Sequence, residues 1–303
     1  MSLLVQHPGA FTTVQDLGRP GYRAVGVPTG GAFDRDAHDL ANALLGNEPT
    51  AATLEMTLLG GSYLALDDTA IALAGAPMAA EIVGAGGGRR RVSVPSATTL
   101  RRGERLTLGG TALGARAYLA VAGGFRAASS LGSRSSEVTL KAGDRLDAAR
   151  STTIGRTPST GPVDYPGRIR LRYIDGIDDG PPGWDNATWH VDATSGRMGV
   201  RLAGPAIATA REVQRLSMPT AVGAIQIAGG RPIVLGPACG TLGGYPVVGT
   251  VISADLCLLG QASAGVEVGF RRGGLEEARA ADFDARERRR RLALVLGASA
   301  TIG

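Results

Sequence analysis

The sequence predicts a mainly β protein of two related domains, each a sandwich or barrel of short strands. Three observations point there. The chain has 46 Gly and 16 Pro among 303 residues, about a fifth of the total against roughly 12% in average usage. Its apolar runs are short and close at Gly or Pro, which suits strands joined by turns better than βαβ units. An internal echo repeats part of the chain. At 44% hydrophobic residues the chain is too apolar for disorder. Its glycines follow no three-residue period, which excludes collagen. The length fits one large or two ordinary domains.

Taken in order, the first clear element is a helix from Asp34 to Leu45. Ala37, Leu40, Ala41, Leu44 and Leu45 recur at helical spacing, Asp34 can cap the start and Gly46 the end. Leu54 to Leu58 alternates, which places Glu55 and Thr57 opposite Leu54, Met56 and Leu58. Ala70 to Gly75 is a strand. So is Arg116 to Ala122, closed by Gly123 and Gly124. Pro232 to Leu235 and Val247 to Ile252 have the same form. Ser253 to Leu259 suits a short helix ending at Gly260, and Leu275 to Leu296 a charged surface helix.

The echo pairs Gly18 to Gly26 with Gly196 to Gly204, both reading G-R-x-G-x-R-x-x-G. A second echo pairs Gly30 and Leu44-Leu45-Gly46-Asn47 with Gly244 and Leu258-Leu259-Gly260-Gln261 at equal internal spacing. Their different offsets require insertions in a duplicated β-domain. The polar stretch from Ala148 to Gly167 separates a first domain, 1–155, from a second, 165–303 that ends in the charged helix.

Several chemistries are excluded. Lys141 is the only lysine, so no Walker-type phosphate loop and no biotin-carrier lysine exist. His7, His38 and His190 lack metal spacing, so no metal is expected, and there is no GxSxG elbow. No run is long and apolar enough for a membrane helix, and the N-terminus does not read as a secretory signal. Cys239 and Cys257 sit among apolar residues, as buried thiols of a reducing cytoplasm do. The net charge of +5 reflects Arg taken over Lys, without the aromatic platforms of a nucleic-acid binder. The runs Arg89 to Arg91, and Arg286 with Arg288 to Arg291, read as solvated faces.

Four turns remain as candidate sites. Gly18 to Asp34 carries five glycines, and its amides can form an anion nest with Arg19 as a fork of donors. The alternative is a tight turn with Arg19 on backbone carbonyls, and the same pair of readings holds for Arg197. Leu131 to Ser136 gathers hydroxyls and Arg134 as an oxyanion site or an ST-turn. Thr241 to Pro246 brings Gly243, Gly244 and the Tyr245 hydroxyl to a ligand, or forms a β-turn with a core tyrosine. Asp34 reads as a helix cap, and Glu55 as a base, a substrate ligand or a solvated carboxylate. Cys239 has no histidine near it in sequence to make it a nucleophile.

These residues carry a resemblance. Thr12 to Gly21, then Gly26-Val27-Pro28, Gly30-Gly31-Ala32 and Asp34, then Ala41-Asn42, Leu45-Gly46-Asn47 and Leu54-Glu55, resemble the start of the KipA proteins. Those are also called allophanate hydrolase subunit 2, biotin-dependent carboxyltransferase-like proteins, or the C component of bacterial 5-oxoprolinase. Leu131 to Ser135, Arg197-Met198-Gly199, Gly223 to Gln226 and Gly243 to Pro246 extend the match, which runs from about residue 5 to 270.

The resemblance implies two tandem cyclophilin-like β-barrels and a KipI-like partner (allophanate hydrolase subunit 1, or the B component of 5-oxoprolinase), with the A component of 5-oxoprolinase in some complexes. It implies a small amide substrate, 5-oxoproline or urea. ATP or carboxybiotin would arrive through partner subunits, with no cofactor held covalently here. On this reading Arg19, Arg134 and the catalytic Arg197 bind an anion, Ser135 contacts the substrate, and the Gly30-Gly31 and Gly243-Gly244 amides shape an oxyanion site. Gln226, Thr241 and Tyr245 orient the substrate, and Glu55 is a base. Ala238 and Gly240 stand where the family usually carries Asp and Gln, and only Glu137 to Leu140 separate Ser136 from Lys141 where a Gly-rich segment is usual. These departures suit the alternative, a non-catalytic KipA-like regulator or partner-binding protein.

Overall fold

A computed structural model of the chain describes residues 2–149, 163–205, 207 and 216–298. Much of the polar stretch expected to separate the domains, 150–162, lies outside the described residues. The chain divides into two compact units, Met1–Arg19 with Gly30–Tyr165 and Arg288–Gly303, and Pro20–Thr29 with Pro166–Glu287. Residues 20–29 and 288–303 therefore depart from a linear division.

In the first unit the elements are β1 (Ser2–His7), β2 (Phe11–Gln15), α1 (Arg35–Ala43), β3 (Thr53–Thr57), β4 (Ser62–Ala65), β5 (Thr69–Gly75) and β6 (Ala80–Val83). They continue as β7 (Arg89–Val92), β8 (Ser96–Leu100), β9 (Arg105–Leu108), β10 (Arg116–Val121), β11 (Phe125–Arg126) and β12 (Arg145–Ala148). The strands form a seven-stranded sheet, β11-β12-β1-β4-β9-β6-β7, and a five-stranded sheet, β2-β3-β10-β5-β8. Leu3, Val5, Tyr63, Leu106, Ile82, Leu54, Met56, Ile71, Leu73 and Leu119 fill one core from both sheets.

The central strands β5 and β10 are buried on both faces, which explains why their sequences are apolar without alternation. Their second face is built of Ala70, Ala72, Ala74, Tyr118 and Ala120, and receives Ala37, Leu40, Ala41 and Leu44 of α1 and its C-terminal end. Small alanines let the helix lie close. Asp34 caps α1 through its carboxylate, which accepts from the Ala37 amide at 3.0 Å.

The same covering excludes one of the three readings of Glu55, the solvated carboxylate. Leu54 and Met56 do enter the core, but Glu55 on the opposite face is 1% exposed. Leu58 is half exposed and takes a left-handed φ of 63°, so the alternation stops at Thr57.

The second unit has β13 (Arg168–Asp175), β14 (Trp189–Val191), β15 (Gly199–Ala203), β16 (Met218–Pro219), β17 (Ala224–Ala228), β18 (Arg231–Leu235), β19 (Leu242–Gly243) and β20 (Val247–Val251). It ends with α2 (Leu256–Gln261), β21 (Glu267–Arg272) and the start of α3 (Leu275–Ala298). Seven strands close a barrel, β13-β20-β17-β18-β15-β14-β21, while β16 and β19 form a small ribbon. Leu171, Trp189, Val200, Leu202, Ile225, Val234 and Val268 are buried strand residues. Tyr173, Trp184 and Phe270 stack near one another, Tyr173 and Trp184 at 5.0 Å between centroids.

The first echo does not mark equivalent elements. Gly18 to Gly26 is a loop holding the 3-10 turn Arg23–Val25, whereas Gly199 to Ala203 of the second copy is strand β15. In the second echo Leu44-Leu45 directly follow α1, whereas Leu258-Leu259 lie within α2. The arginine runs also divide. Arg89 to Arg91 form β7, at the end of a sheet where charge discourages edge pairing. Arg289 is not solvated: its guanidinium reaches Asp36 at 2.7 Å and Asp39 at 3.5 Å on α1.

Candidate functional sites in the two units

In the first unit, Asp16 follows β2 directly and is buried. Its Oδ1 accepts from Ser133 Oγ and Ser135 Oγ, each at 2.6 Å, and from the Gly18 amide at 2.7 Å. Its Oδ2 accepts from the Arg134 amide at 2.6 Å. Burial pushes the Asp16 carboxyl up, and hydrogen bonds from Ser133, Ser135 and the two amides outweigh it, so the group lies below its ordinary value. One carboxylate thus ties the Leu131–Ser136 turn to the Gly18 turn.

The Arg19 side chain runs along this join. Its Nη2 donates to the Ser135 carbonyl and its Nε to the Ser130 carbonyl at 3.3 Å. Two donors of the fork, Nη2 and Nε, thus meet backbone oxygens, as in the tight-turn reading. Gly30 lies beside it: a Cβ there would stand 3.6 Å from Arg19 Nη1 and 3.5 Å from Ser135 Cβ. Gly31, at φ 92°, passes so close to the Gly18 turn that a Cβ would stand 3.0 Å from the Gly18 nitrogen.

Arg134 differs from Arg19. Its Nε is buried and meets no hydrogen-bond acceptor among the described residues. A shielded, unmatched N–H costs free energy that a ligand oxygen or water would recover.

Three residues after Gly30, the Phe33 amide donates to Glu55 Oε2 at 2.9 Å, and Tyr118 OH donates to the same oxygen at 2.7 Å. Arg116 Nε lies 3.4 Å from Glu55 Oε1. Arg19, Gly30, Gly31, Arg134 and Ser135 therefore gather in the first unit, with Glu55 linked to them through the loop.

The remaining predicted residues belong to the second unit. A cavity of about 310 Å³ is lined by Asp175, Asp178, Thr220, Gly243, Gly244 and Tyr245, with Ala224, Val247 and Thr250 among its other walls. Gln226 shares a face of β17 with Ala224 and is buried. Its Nε2 has no hydrogen-bond partner among the described residues. A Cβ on Gly243 would stand 2.8 Å from that nitrogen and 2.9 Å from Thr220 Cγ2, so a side chain there requires Gln226 and Thr220 to shift.

Thr241 does not line this cavity, but its carbonyl accepts from the amide of the lining residue Thr220 at 2.9 Å. Tyr245 is half exposed rather than a core residue. Arg197 is buried before β15, and its carbonyl accepts from the Ala238 amide at 3.1 Å.

Sequence reasoning missed Asp16, Arg23 and Tyr118. Arg23 belongs to the second unit, where Nη2 donates to the Thr220 carbonyl at 2.9 Å and the Gly240 carbonyl at 2.8 Å, and Nη1 approaches Cys239 Sγ at 3.7 Å. The run of hydroxyls in Leu131–Ser136 was the available signal for Asp16, since buried hydroxyls need an acceptor. Cys239 is buried, and burial pushes its thiol up although Arg23 draws it down.

The family model described as carboxyltransferase domain, subdomain A and B, matches residues 25–272. The C subunit of 5-oxoprolinase from Escherichia coli (strain K12) is 32% identical, over 91% of this chain and 93% of its own. A urea amidolyase of Lachancea kluyveri is 30% identical over 88% of this chain and 16% of its own length. The crystal structure of the K. lactis urea amidolyase superposes with a TM-score of 0.84 at 26% identity, covering 96% of this chain and 20% of that one. The chain thus spans about a fifth of that longer structure and nearly all of the bacterial relative.

Proposed function

The chain belongs to the family of carboxyltransferase domains, subdomains A and B, and on that premise we propose that it is the C subunit of a 5-oxoprolinase-type complex acting on a small amide. The observation that supports this reading is the likeness to a 5-oxoprolinase C subunit, 32% identical over 91% of this chain. A KipI-like protein is the proposed partner, together with the A component of 5-oxoprolinase, in the cytoplasm. Any ATP or carboxybiotin is supplied through the partner subunits, which accords with a chain that has one lysine and no phosphate loop.

Amide activation and carboxyl transfer both develop negative charge on an oxygen. Preorganised donors stabilise such charge, each worth about 3 kcal/mol in measured oxyanion sites. In the first unit the donor proposed for that role is Arg134, whose Nε is unmatched, held by the Asp16 clamp beside the Gly30-Gly31 turn. Arg19 shapes that turn. In the second unit Gln226 Nε2, Gly243, Gly244 and Tyr245 line or back a cavity suited to a small polar molecule.

A second reading, a non-catalytic KipA-like regulator, is favoured by Ala238 and Gly240 beside the Gly243-Gly244-Tyr245 turn. ATP hydrolysis driven by 5-oxoproline separates the two. The reconstituted complex is expected to lose this activity when the chain is left out; equal rates without it would favour the regulator.

A further inference from the structure

Glu55 on β3 and Tyr118 on β10 lie directly opposite each other across the sheet. Glu55 is almost wholly buried, and its two oxygens face Arg116 on one side and the Tyr118 hydroxyl and Phe33 amide on the other. The Tyr118 hydroxyl in turn accepts from the Asp34 amide at 2.8 Å. Burial, and then the neighbouring Glu55 charge, push that hydroxyl well above its ordinary value, so it keeps the proton it donates. The Arg116 guanidinium also lies 4.5 Å from the centre of the Phe33 ring. One residue upstream, the Ala32 amide donates to the Asp16 carbonyl at 2.9 Å.

Three consecutive amides, Ala32, Phe33 and Asp34, are thus fastened to buried anchors immediately after Gly30 and Gly31. We infer that Glu55 and Tyr118 are positioning residues that hold the Gly30-Gly31 turn in place, and that Glu55 is not a base. A base must touch its substrate with an open lone pair, whereas Glu55 is almost wholly buried, with two donors on Oε2 and the Arg116 guanidinium in ion-pair contact with Oε1. Preorganised amides lose their value if the turn moves, because the donors must already point at the charge when it forms. The inference rests on the proposed function for its effect on turnover. The fastening of the loop is separate and can be measured without any substrate.

The test uses Tyr118→Phe and Glu55→Gln in the full chain, by amide hydrogen exchange and in the reconstituted complex with 5-oxoproline. Tyr118→Phe removes the acceptor of the Asp34 amide, so exchange there is expected to rise about tenfold, in line with one lost hydrogen bond. Its kcat is expected to fall about tenfold with KM changed less than about twofold. Glu55→Gln keeps an oxygen for Phe33 and Tyr118, so turnover is expected to stay within about tenfold of wild type, where loss of a base costs about a hundredfold or more.

Unchanged exchange at Phe33 and Asp34 in Tyr118→Phe would overturn the inference. So would a loss of a hundredfold or more in Glu55→Gln with exchange unaltered, or faster exchange in Tyr118→Phe with kcat unaltered. A complex whose rate is the same without this chain would defeat the proposed function instead, and the exchange measurement would then decide the clamp alone.

Discussion

Asp16 and Ser135 are bonded twice: the Ser135 hydroxyl donates to Asp16 Oδ1 at 2.6 Å, and the Asp16 amide donates back to the same hydroxyl oxygen at 3.0 Å. With Ser133 and the Arg134 amide on the same carboxylate, this pair fixes the turn that presents Arg134.

Asp16→Ala therefore orphans several buried donors at once. At roughly 1–3 kcal/mol for each orphaned group, a loss above about 3 kcal/mol is expected in urea unfolding at pH 7. The folded Asp16 carboxyl lies below its ordinary value. Its stabilising contribution is therefore complete above the unfolded pKa of about 3.9 and fades as pH falls through the folded value. The gap between wild type and Asp16→Asn should narrow from pH 6 towards pH 2; a constant gap would mean that charge is not what the clamp uses.

Gly243→Ala should force the Gln226 and Thr220 side chains to move. The new methyl would press on Gln226 Nε2 at 2.8 Å and Thr220 Cγ2 at 2.9 Å, and overpacking of this kind costs about 1–3 kcal/mol. Gln226→Ala opens the space. The double variant should then lose less than the two single losses combined, by about 0.5 kcal/mol or more. Strict additivity would show that the two residues do not meet.

Arg23→Ala should expose Cys239. Arg23 joins the Thr220 and Gly240 carbonyls over the buried thiol, and hydrogen bonds from a charged donor are worth about 1.5–3 kcal/mol. Local opening should raise the labelling rate of Cys239 by an aromatic disulfide reagent by about tenfold or more. Cys257 serves as the internal reference, being partly exposed already. An unchanged Cys239 rate would show that other contacts hold the loop.

The regular elements were legible because each has a local cause. Helical spacing and the Asp34 cap announce α1, and the unbroken run at 70–75 announces a strand buried on both sides. Glu55 was harder. Alternation tells which face a residue takes, but not that α1 and the Phe33 loop cover that face. The Gly18–Asp34 segment was recognisable as a special turn from its glycines. Which acceptors Arg19 would find depended on the Leu131–Ser136 turn, more than a hundred residues away in sequence. The first echo misled for a related reason: identical short motifs took loop in one copy and strand in the other, because their neighbours differ.

Among these relationships, the unmatched Nε of Arg134 tests the proposed function most directly. Steady-state ATP hydrolysis driven by 5-oxoproline should be compared for Arg134→Ala and wild type in the reconstituted complex, with unfolding curves confirming that both chains fold. The account predicts a fall in kcat/KM of about a hundredfold, the size of one lost charge-stabilising donor. Wild-type activity in a folded Arg134→Ala chain would contradict it.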